Sequence, residues 1–434
     1  MPPEPTEKPG DCPLSRAHQT RNLLIYAACM GLIYLCAPAL YVGVMQAGLC
    51  RQLGASDTVA NLPGSVFFGM TFMPVILAWW LPYVSFLKRN LVCCFAAVAL
   101  SAGAMAVTFV LPVSNQFKIV AVIVQAGVVG VASPAAVGFL WEMIGRGVSE
   151  SRRGMTLGLA FGLGPILAIV GSALQTALLG GNFLGWQLEG KVFPEGYVWL
   201  YGMAAPLIGL AALLCATCVV PLPEKEVVRE PFVAGVFGGI GNILGNRLLL
   251  LAAVITVLLY VGNTIPANMN LYSELAFGES SDRFSGPQNM LRFTFKFITG
   301  LLLGWMLGKT NPRAGILLTG TLYGLAMAWA ILVTGPWYIL AAAIHGAGEL
   351  VGVYAPNYIL SASKKSQMRR NMAFVQMLMV PTAPMGAVFG SIADYFNRTA
   401  FGFRVSFALC GAFVVAGLML TLTMLPPRPT PQED

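Results

Sequence analysis

Charge is what this sequence has least of. Asp, Glu, Lys and Arg make up 10% of its 434 residues, while 57% are hydrophobic. A soluble domain carries roughly 25% charged residues, so the composition argues against two or three ordinary soluble domains. Short segments of alternating polarity are also missing, which excludes a membrane β-barrel. The nine cysteines form no framework: Cys29, Cys36, Cys93, Cys94, Cys215, Cys218 and Cys410 sit inside apolar runs. Cys215 and Cys218 have redox spacing but no strand or polar flank, and read as small packing residues. No phosphate loop, zinc motif or nucleophile with a matched base occurs, so neither an enzyme nor a metal or cofactor site is expected. No signal-peptide pattern opens the chain, and the Pro-rich polar stretch 1–19 reads as a disordered tail.

What is present is a series of apolar runs of about 20 residues, each long enough to cross the hydrocarbon core. In lipid such spans must be helical, because the backbone finds no water to bond. Twelve are predicted: 22–46, 59–81, 91–111, 117–143, 154–179, 197–220, 248–272, 287–308, 314–334, 337–361, 371–395 and 403–425. The longest polar connection, 221–247, reads as a linker, within which 232–244 has the pattern of a short helix on a membrane surface. The expected organisation is an N-terminal tail (1–20), a six-helix bundle (21–220), the linker, a second six-helix bundle (248–426) and a C-terminal tail (427–434).

The two halves echo each other. Ser149-Glu150-Ser151-Arg152-Arg153-Gly154-Met155 and Ser366-Gln367-Met368-Arg369-Arg370-Asn371-Met372 share the frame S-x-x-R-R-x-M, 217 residues apart. Upstream, Gly130-Val131-Ala132-Ser133-Pro134 is matched by Gly352-Val353-Tyr354-Ala355-Pro356, 222 residues apart. Two matches in the same order, at half the chain length, indicate an internal duplication. Lys and Arg fix the orientation: 18 of the 26 fall in the tails and in connections 2–3, 4–5, 6–7, 8–9 and 10–11. By the positive-inside rule both termini are cytoplasmic. The net charge of +8 is then a consequence of topology rather than a sign of nucleic-acid binding.

Twelve helices in two halves, with a long middle loop and basic 2–3, 4–5, 8–9 and 10–11 connections, resemble the major facilitator superfamily of transporters over essentially the whole chain. The most specific local match is Glu142, then Ser149 to Met155, then a Gly-rich helix 5 with Gly164-Pro165. The family's 2–3 motif is reduced to Lys88 and Arg89; its glycine and aspartate are absent from Trp80-Leu81-Pro82-Tyr83. The resemblance implies parallel repeats that rock about a central site, lined by helices 1, 4, 7 and 10 of an integral, multi-pass protein of the cell membrane. It implies a monomer with a small-molecule solute, a proton and the lipid bilayer as its partners.

Intramembrane charges are costly and therefore point to function. Arg292 and Lys296 lie one turn apart on helix 8, followed on the same face by Gly300, Gly304 and Gly308. A small-residue stripe marks close packing, so the cations are expected to face the bundle. His345 and Glu349, four apart on helix 10, share a face. At about 1.5 Å per residue, Lys296 and Glu349 fall roughly 15 and 18 Å deep, with Arg292 and His345 above them at roughly 9 and 12 Å. Lys296 with Glu349 is the expected buried pair, and His345 with Glu349 the expected proton-coupling unit. A fixed structural salt bridge is the competing reading. In helix 7, Pro266 frees a backbone carbonyl among Asn263, Asn268 and Asn270. These amides, with Tyr34, Tyr41 and Gln125 in the first half and with Arg292 and Lys296, form the candidate substrate surface. The Asn pair 268 and 270 could equally sit at the outer interface. Arg152, Arg153, Arg369, Arg370 and Glu142 are candidates for a cytoplasmic gate, with Glu142 expected to neutralise Arg152 or Arg153.

Two cations against one deep carboxylate favour an anionic or zwitterionic solute, carried by a proton-coupled secondary transporter. Two alternatives stand beside this reading. One is an exporter of amphipathic, drug-like compounds, which suits the 11% aromatic content. The other is a transporter-like sensor that moves nothing, which the missing 2–3 aspartate would suit.

Overall fold

The computed structural model describes residues 12–40, 43–183, 186–222, 231–307, 309–363, 374–375 and 377–429. The first apolar stretch forms α1 (Arg16–Leu40) and α2 (Val44–Gln52), separated by a break at which Gly43 takes φ +77°. The single helix predicted over 22–46 is therefore two helices. Pro38 and the left-handed glycine interrupt it, and Gln46 donates to the Ala39 carbonyl that the break leaves free, at 2.9 Å. α1 also starts inside the stretch expected to be disordered.

The second stretch is likewise split, into α3 (Asp57–Met70) and α4 (Met73–Trp80), with Pro74 in the first turn of the latter. Then follow α5 (Leu87–Val110), α6 (Asn115–Gly147), α7 (Glu150–Leu179) and α8 (Glu195–Cys215). The loop before α8 holds a small hairpin of β1 (Gly181–Phe183) and β2 (Trp186–Leu188), an exception to the all-α expectation. α9 (Phe232–Leu244) is the helix anticipated inside the linker; its Phe232 ring meets Trp79 edge-on at 4.8 Å.

The second half comprises α10 (Arg247–Tyr260), α11 (Pro266–Ala276), α12 (Ser281–Leu307), α13 (Pro312–Leu332), α14 (Leu340–Gly348), α15 (Val351–Ala362), α16 (Pro384–Tyr395) and α17 (Ala400–Met424). A 3-10 turn at Val261–Thr264 joins α10 to α11, so helix 7 is broken where Pro266 was expected to break it. Helix 10 is also interrupted: Glu349 and Leu350 form a turn between α14 and α15.

Ten segments among the described residues are long and apolar enough to cross a bilayer. α12 has the length, 27 residues, but carries Asp282, Arg283, Arg292 and Lys296. The predicted span 371–395 falls partly outside the described residues. The breaks repeat as the motifs do: Pro266 follows Gly43 by 223 residues, and Ser281-Asp282 follows Ser56-Asp57 by 225.

Polar contacts join the two halves of the chain at the end where α3 begins and α11 ends. Arg398 Nε donates to Asp57 Oδ2 at 2.8 Å and its Nη2 to Glu274 Oε2 at 3.0 Å. Asp394 accepts from the backbone N–H of Asp57 at 2.9 Å and of Thr58 at 2.8 Å. A carboxylate of the second half thus caps the first turn of a helix in the first. Nearby, Gln52 donates to Asp282, and Gln175 to Ser285 at 2.6 Å.

Candidate functional site

Glu349 lies at the turn that divides helix 10, and three cationic or ionisable side chains converge on it. Arg292 Nε donates to Glu349 Oε1. Lys296 Nζ lies 3.1 Å from Oε2, and His345 Nδ1 lies 3.3 Å from Oε1. The sequence placed Arg292 and His345 a level above the Lys296 and Glu349 pair. Instead all four form one cluster, because the long Arg292 side chain reaches along its helix to the carboxylate. The cluster is interior: Arg292 is 8% exposed, Glu349 7% and His345 1%.

Local packing makes this convergence possible. A Cβ on Gly346 would collide with the Arg292 carbonyl, so only glycine lets α12 come this close to α14. On the other side Tyr323 of α13 is buried, its ring 4.9 Å from that of His345 and against Gly348. Its hydroxyl donates to the Asn263 amide oxygen. His345 Nε2 lies 2.7 Å from the carbonyl oxygen of Gly262. In a helix that carbonyl would accept from the N–H of residue 266, which is proline and has none. The sequence pointed to a freed carbonyl; the fold supplies its partner.

Charge accounting shows what the cluster lacks. With His345 neutral it holds two cations and one carboxylate, a net charge of +1. Arg292 Nη1 is buried without a hydrogen-bond partner among the described residues. Desolvating a cation without full compensation is costly, so the cluster favours a further anion.

The other predicted residues are distributed more widely. Asn268 accepts from Asn61 at 3.4 Å, and Asn270 donates to the Val44 carbonyl at 3.2 Å. Both amides therefore join the two halves in this conformation, rather than facing a shared surface with Asn263. Asn263 itself lies against Tyr323 and Met379. Tyr34 packs over Gly164 of α7, and Gln125 is buried on α6 with neither amide atom partnered among the described residues. Glu142 pairs with Arg146, one turn on, at 2.9 Å, in place of the expected Arg152 or Arg153. Arg152 donates to Thr20 Oγ1 at 2.9 Å, and Arg153 to the Gly145 carbonyl at 2.6 Å, which ties the start of α7 to α1 and to the end of α6. Tyr41, Arg369, Arg370 and Gly308 lie outside the described residues. The glycine stripe of α12 does not pack as expected: Gly300 approaches Leu350, but nothing lies within 4 Å of a Cβ built on Gly304.

Sequence reasoning missed Tyr323, because a lone tyrosine in an apolar span carries no signal. It also missed Asp57, Glu274, Asp394 and Arg398, scattered over three connections. The recurrence of Ser-Asp at 56–57 and 281–282 was the one available clue.

Solved structures provide the comparison. An auto-inhibited POT-family peptide transporter superposes with a TM-score of 0.70, covering 95% of this chain and 99% of its own at 13% identity. The nucleoside transporter NupG, in a mutant form, gives 0.69 over 93% and 100% at 11% identity. A POT-family transporter in complex with a thioalcohol-conjugated peptide gives 0.66 over 93% and 96% at 12% identity. The fold is that of the major facilitator superfamily. No protein-family model and no curated sequence matches the chain. At these identities the likeness establishes the arrangement of helices, and the chemistry must be read from the residues themselves. These neighbours are transporters rather than enzymes, and the apolar helices make this an integral membrane protein.

Proposed function

We propose that this protein is a secondary transporter that moves a small anionic or zwitterionic organic solute together with a proton, by alternating access. The observation that carries the reading is the cluster around Glu349, where α12 meets the turn of helix 10: two cations, one carboxylate and an Arg292 Nη1 without a partner among the described residues. The solute's carboxylate or phosphate takes the place of Glu349 on Arg292 and Lys296. A proton taken up by His345 and Glu349 raises the cluster from +1 to +2, so proton and anion each strengthen the binding of the other. Tyr34 and Gln125, from helices 1 and 4, are the proposed solute contacts in the first half. The POT-family neighbours are peptide transporters, and a peptide with free ends is a zwitterion, which fits this charge pattern.

The proposed architecture is twelve spans in two six-helix bundles, 21–220 and 248–426, in a monomer of the cell membrane with both termini cytoplasmic. The contacts of Asp57 with Arg398 then close the outer face. Arg152 and Arg153, with Arg369 and Arg370, act as gate elements at the cytoplasmic face, where they meet helix C-termini and lipid phosphates.

Uptake of labelled anionic, zwitterionic and neutral solutes into proteoliposomes, with and without a pH gradient, tests the proposal. Glu349→Gln is expected to abolish gradient-driven accumulation while leaving counterflow, which needs no net proton movement. Full pH-driven accumulation by that variant would make the cluster structural. Arg152→Gln with Arg369→Gln tests the gate: unchanged orientation, expression and transport would reduce those arginines to topology signals.

A further inference from the structure

A carbonyl oxygen accepts hydrogen bonds and never donates them. The 2.7 Å contact between His345 Nε2 and the Gly262 oxygen therefore requires that Nε2 carry the hydrogen. The other ring nitrogen, Nδ1, lies 3.3 Å from Glu349 Oε1 and is buried with no hydrogen-bond partner among the described residues. Two unprotonated acceptors at that separation repel, and one proton relieves the repulsion. The proton sits either on Nδ1, giving an imidazolium beside a carboxylate, or on Oε1, giving a carboxylic acid beside a neutral ring.

We propose that the break in helix 7 builds a one-proton site at His345 and Glu349, with Gly262 and Pro266 as its positioning residues. Pro266 supplies no N–H, so the Gly262 carbonyl is left free to hold the imidazole by Nε2. That contact fixes the tautomer and leaves Nδ1 without a hydrogen, 3.3 Å from the carboxylate. Tyr323, lying against the ring and anchored on Asn263, blocks rotation of the imidazole away from this arrangement. The groups that face the site are Arg292 and Lys296 from α12, Tyr323 from α13, Glu349 from its own helix and the uncharged Gly262 carbonyl from helix 7. The only bonds made or broken are N–H at Nδ1 and O–H at Oε1, and one proton is bound or released in all.

The break also ties the site to the arrangement of the halves. α11 begins at Pro266, accepts from Gln288 through the Pro266 carbonyl at 3.1 Å, and bonds the first half through Asn268 and Asn270. α10 packs within the second half. The Gly262 carbonyl stands at the joint between them, so a movement that separates the halves at the Asp57 end shifts the acceptor that orients His345. The proton held by His345 and Glu349 is thereby linked to closure of that end.

This inference rests on the transport reading, but its test does not involve transport. The chain has two histidines, and the other, His18, is exposed on α1. A His18→Gln protein with 15N-labelled histidine, purified in lipid nanodiscs on a histidine-free tag, shows the His345 nitrogens alone. Nε2 is expected to stay protonated across the titration, with Nδ1 the only nitrogen that changes. A neutral ring with its hydrogen on Nδ1, or rapid averaging of the two tautomers, would overturn the inference. Pro266→Ala gives residue 266 an N–H that competes for the Gly262 carbonyl, and the Nδ1–H tautomer should then appear. An unchanged spectrum would remove Pro266 from the device. His345→Gln can donate to the same carbonyl but holds no titratable nitrogen; it should fold and lose the pH-dependent response of Glu349. Retention of that response would place the proton elsewhere. If the spectra behave as expected and no solute is accumulated, the one-proton site stands and the transport reading fails.

Discussion

Glu349 is the residue on which the interior charges depend, and its two cations are not equivalent. The Arg292 side chain is 10% exposed and that of Lys296 is 29%. Glu349→Gln should destabilise the protein by about 3–5 kcal/mol, as expected when one partner of a buried pair is removed. Reasoning from sequence gives Lys296→Met as the compensating change, because only Lys296 was expected at the depth of Glu349. The geometry points to Arg292 instead, since the more buried cation loses more when its counter-charge goes. Glu349→Gln with Arg292→Met should therefore recover more thermal stability than Glu349→Gln with Lys296→Met. Equal recovery, measured by thermal unfolding in detergent, would mean that the two cations share the carboxylate evenly. Both double variants should remain without gradient-driven uptake. Tyr323→Phe removes the bond to Asn263 and should cost about 1 kcal/mol, within the usual range for one hydrogen bond.

Among the elements, the contact between α12 and α14 sets the geometry of the cluster. Gly346 is its tightest point, with the Arg292 carbonyl where a side chain would begin. Backbone cannot withdraw as a flexible side chain can, so Gly346→Ala must push the two helices apart. The expected cost is about 1–3 kcal/mol of overpacking. The same displacement draws Arg292 away from Glu349, so anion binding should weaken as well. Normal stability together with normal binding in that variant would show that the helices slide without consequence. Breaks at Gly43, at Pro266 and at Glu349 place irregular backbone in three apolar stretches. Such backbone is tolerated at membrane depth only where protein or a polar cavity satisfies it. Here Gln46 and His345 do so for the first two.

At the scale of the whole molecule, the halves are held at one end by polar contacts that cross between them. Burial disfavours the charge on Arg398, but Asp57 and Glu274 more than offset it and hold its pKa above the ordinary value. The guanidinium therefore remains a cation at any physiological pH. Asp394 contributes as a cap supplied by the opposite half. Asp394→Ala should leave the first-turn amides of α3 unsatisfied, a loss of about 0.5–2 kcal/mol. Hydrogen exchange over 57–60 should then speed up, by about 5–30-fold if the loss is 1–2 kcal/mol. Arg398→Ala should produce the same signature together with greater solvent access to the Glu349 cluster from that end. Unchanged exchange in both variants would mean that apolar packing alone closes the interface.

The sequence by itself determined what depends on short range and on solvent. Apolar run length and the scarcity of charge made this a helical membrane protein, and the echoes at half the chain length are the sequence's argument for a duplication. Helical periodicity put Arg292 and Lys296 on one face and His345 and Glu349 on another, and Pro266 announced a broken helix. What only the tertiary structure decided was which groups meet. Depth counting cannot show how far a flexible arginine reaches along its helix, so the contact of Arg292 with Glu349 is not legible from it. Nor can it find the partner of a freed carbonyl, which is His345, 83 residues away. The cap that Asp394 provides to α3 joins residues more than 330 positions apart. Periodicity fixes the direction in which a side chain leaves its own helix. The identity of what it meets depends on how helices distant in the chain are packed, and no local pattern encodes that.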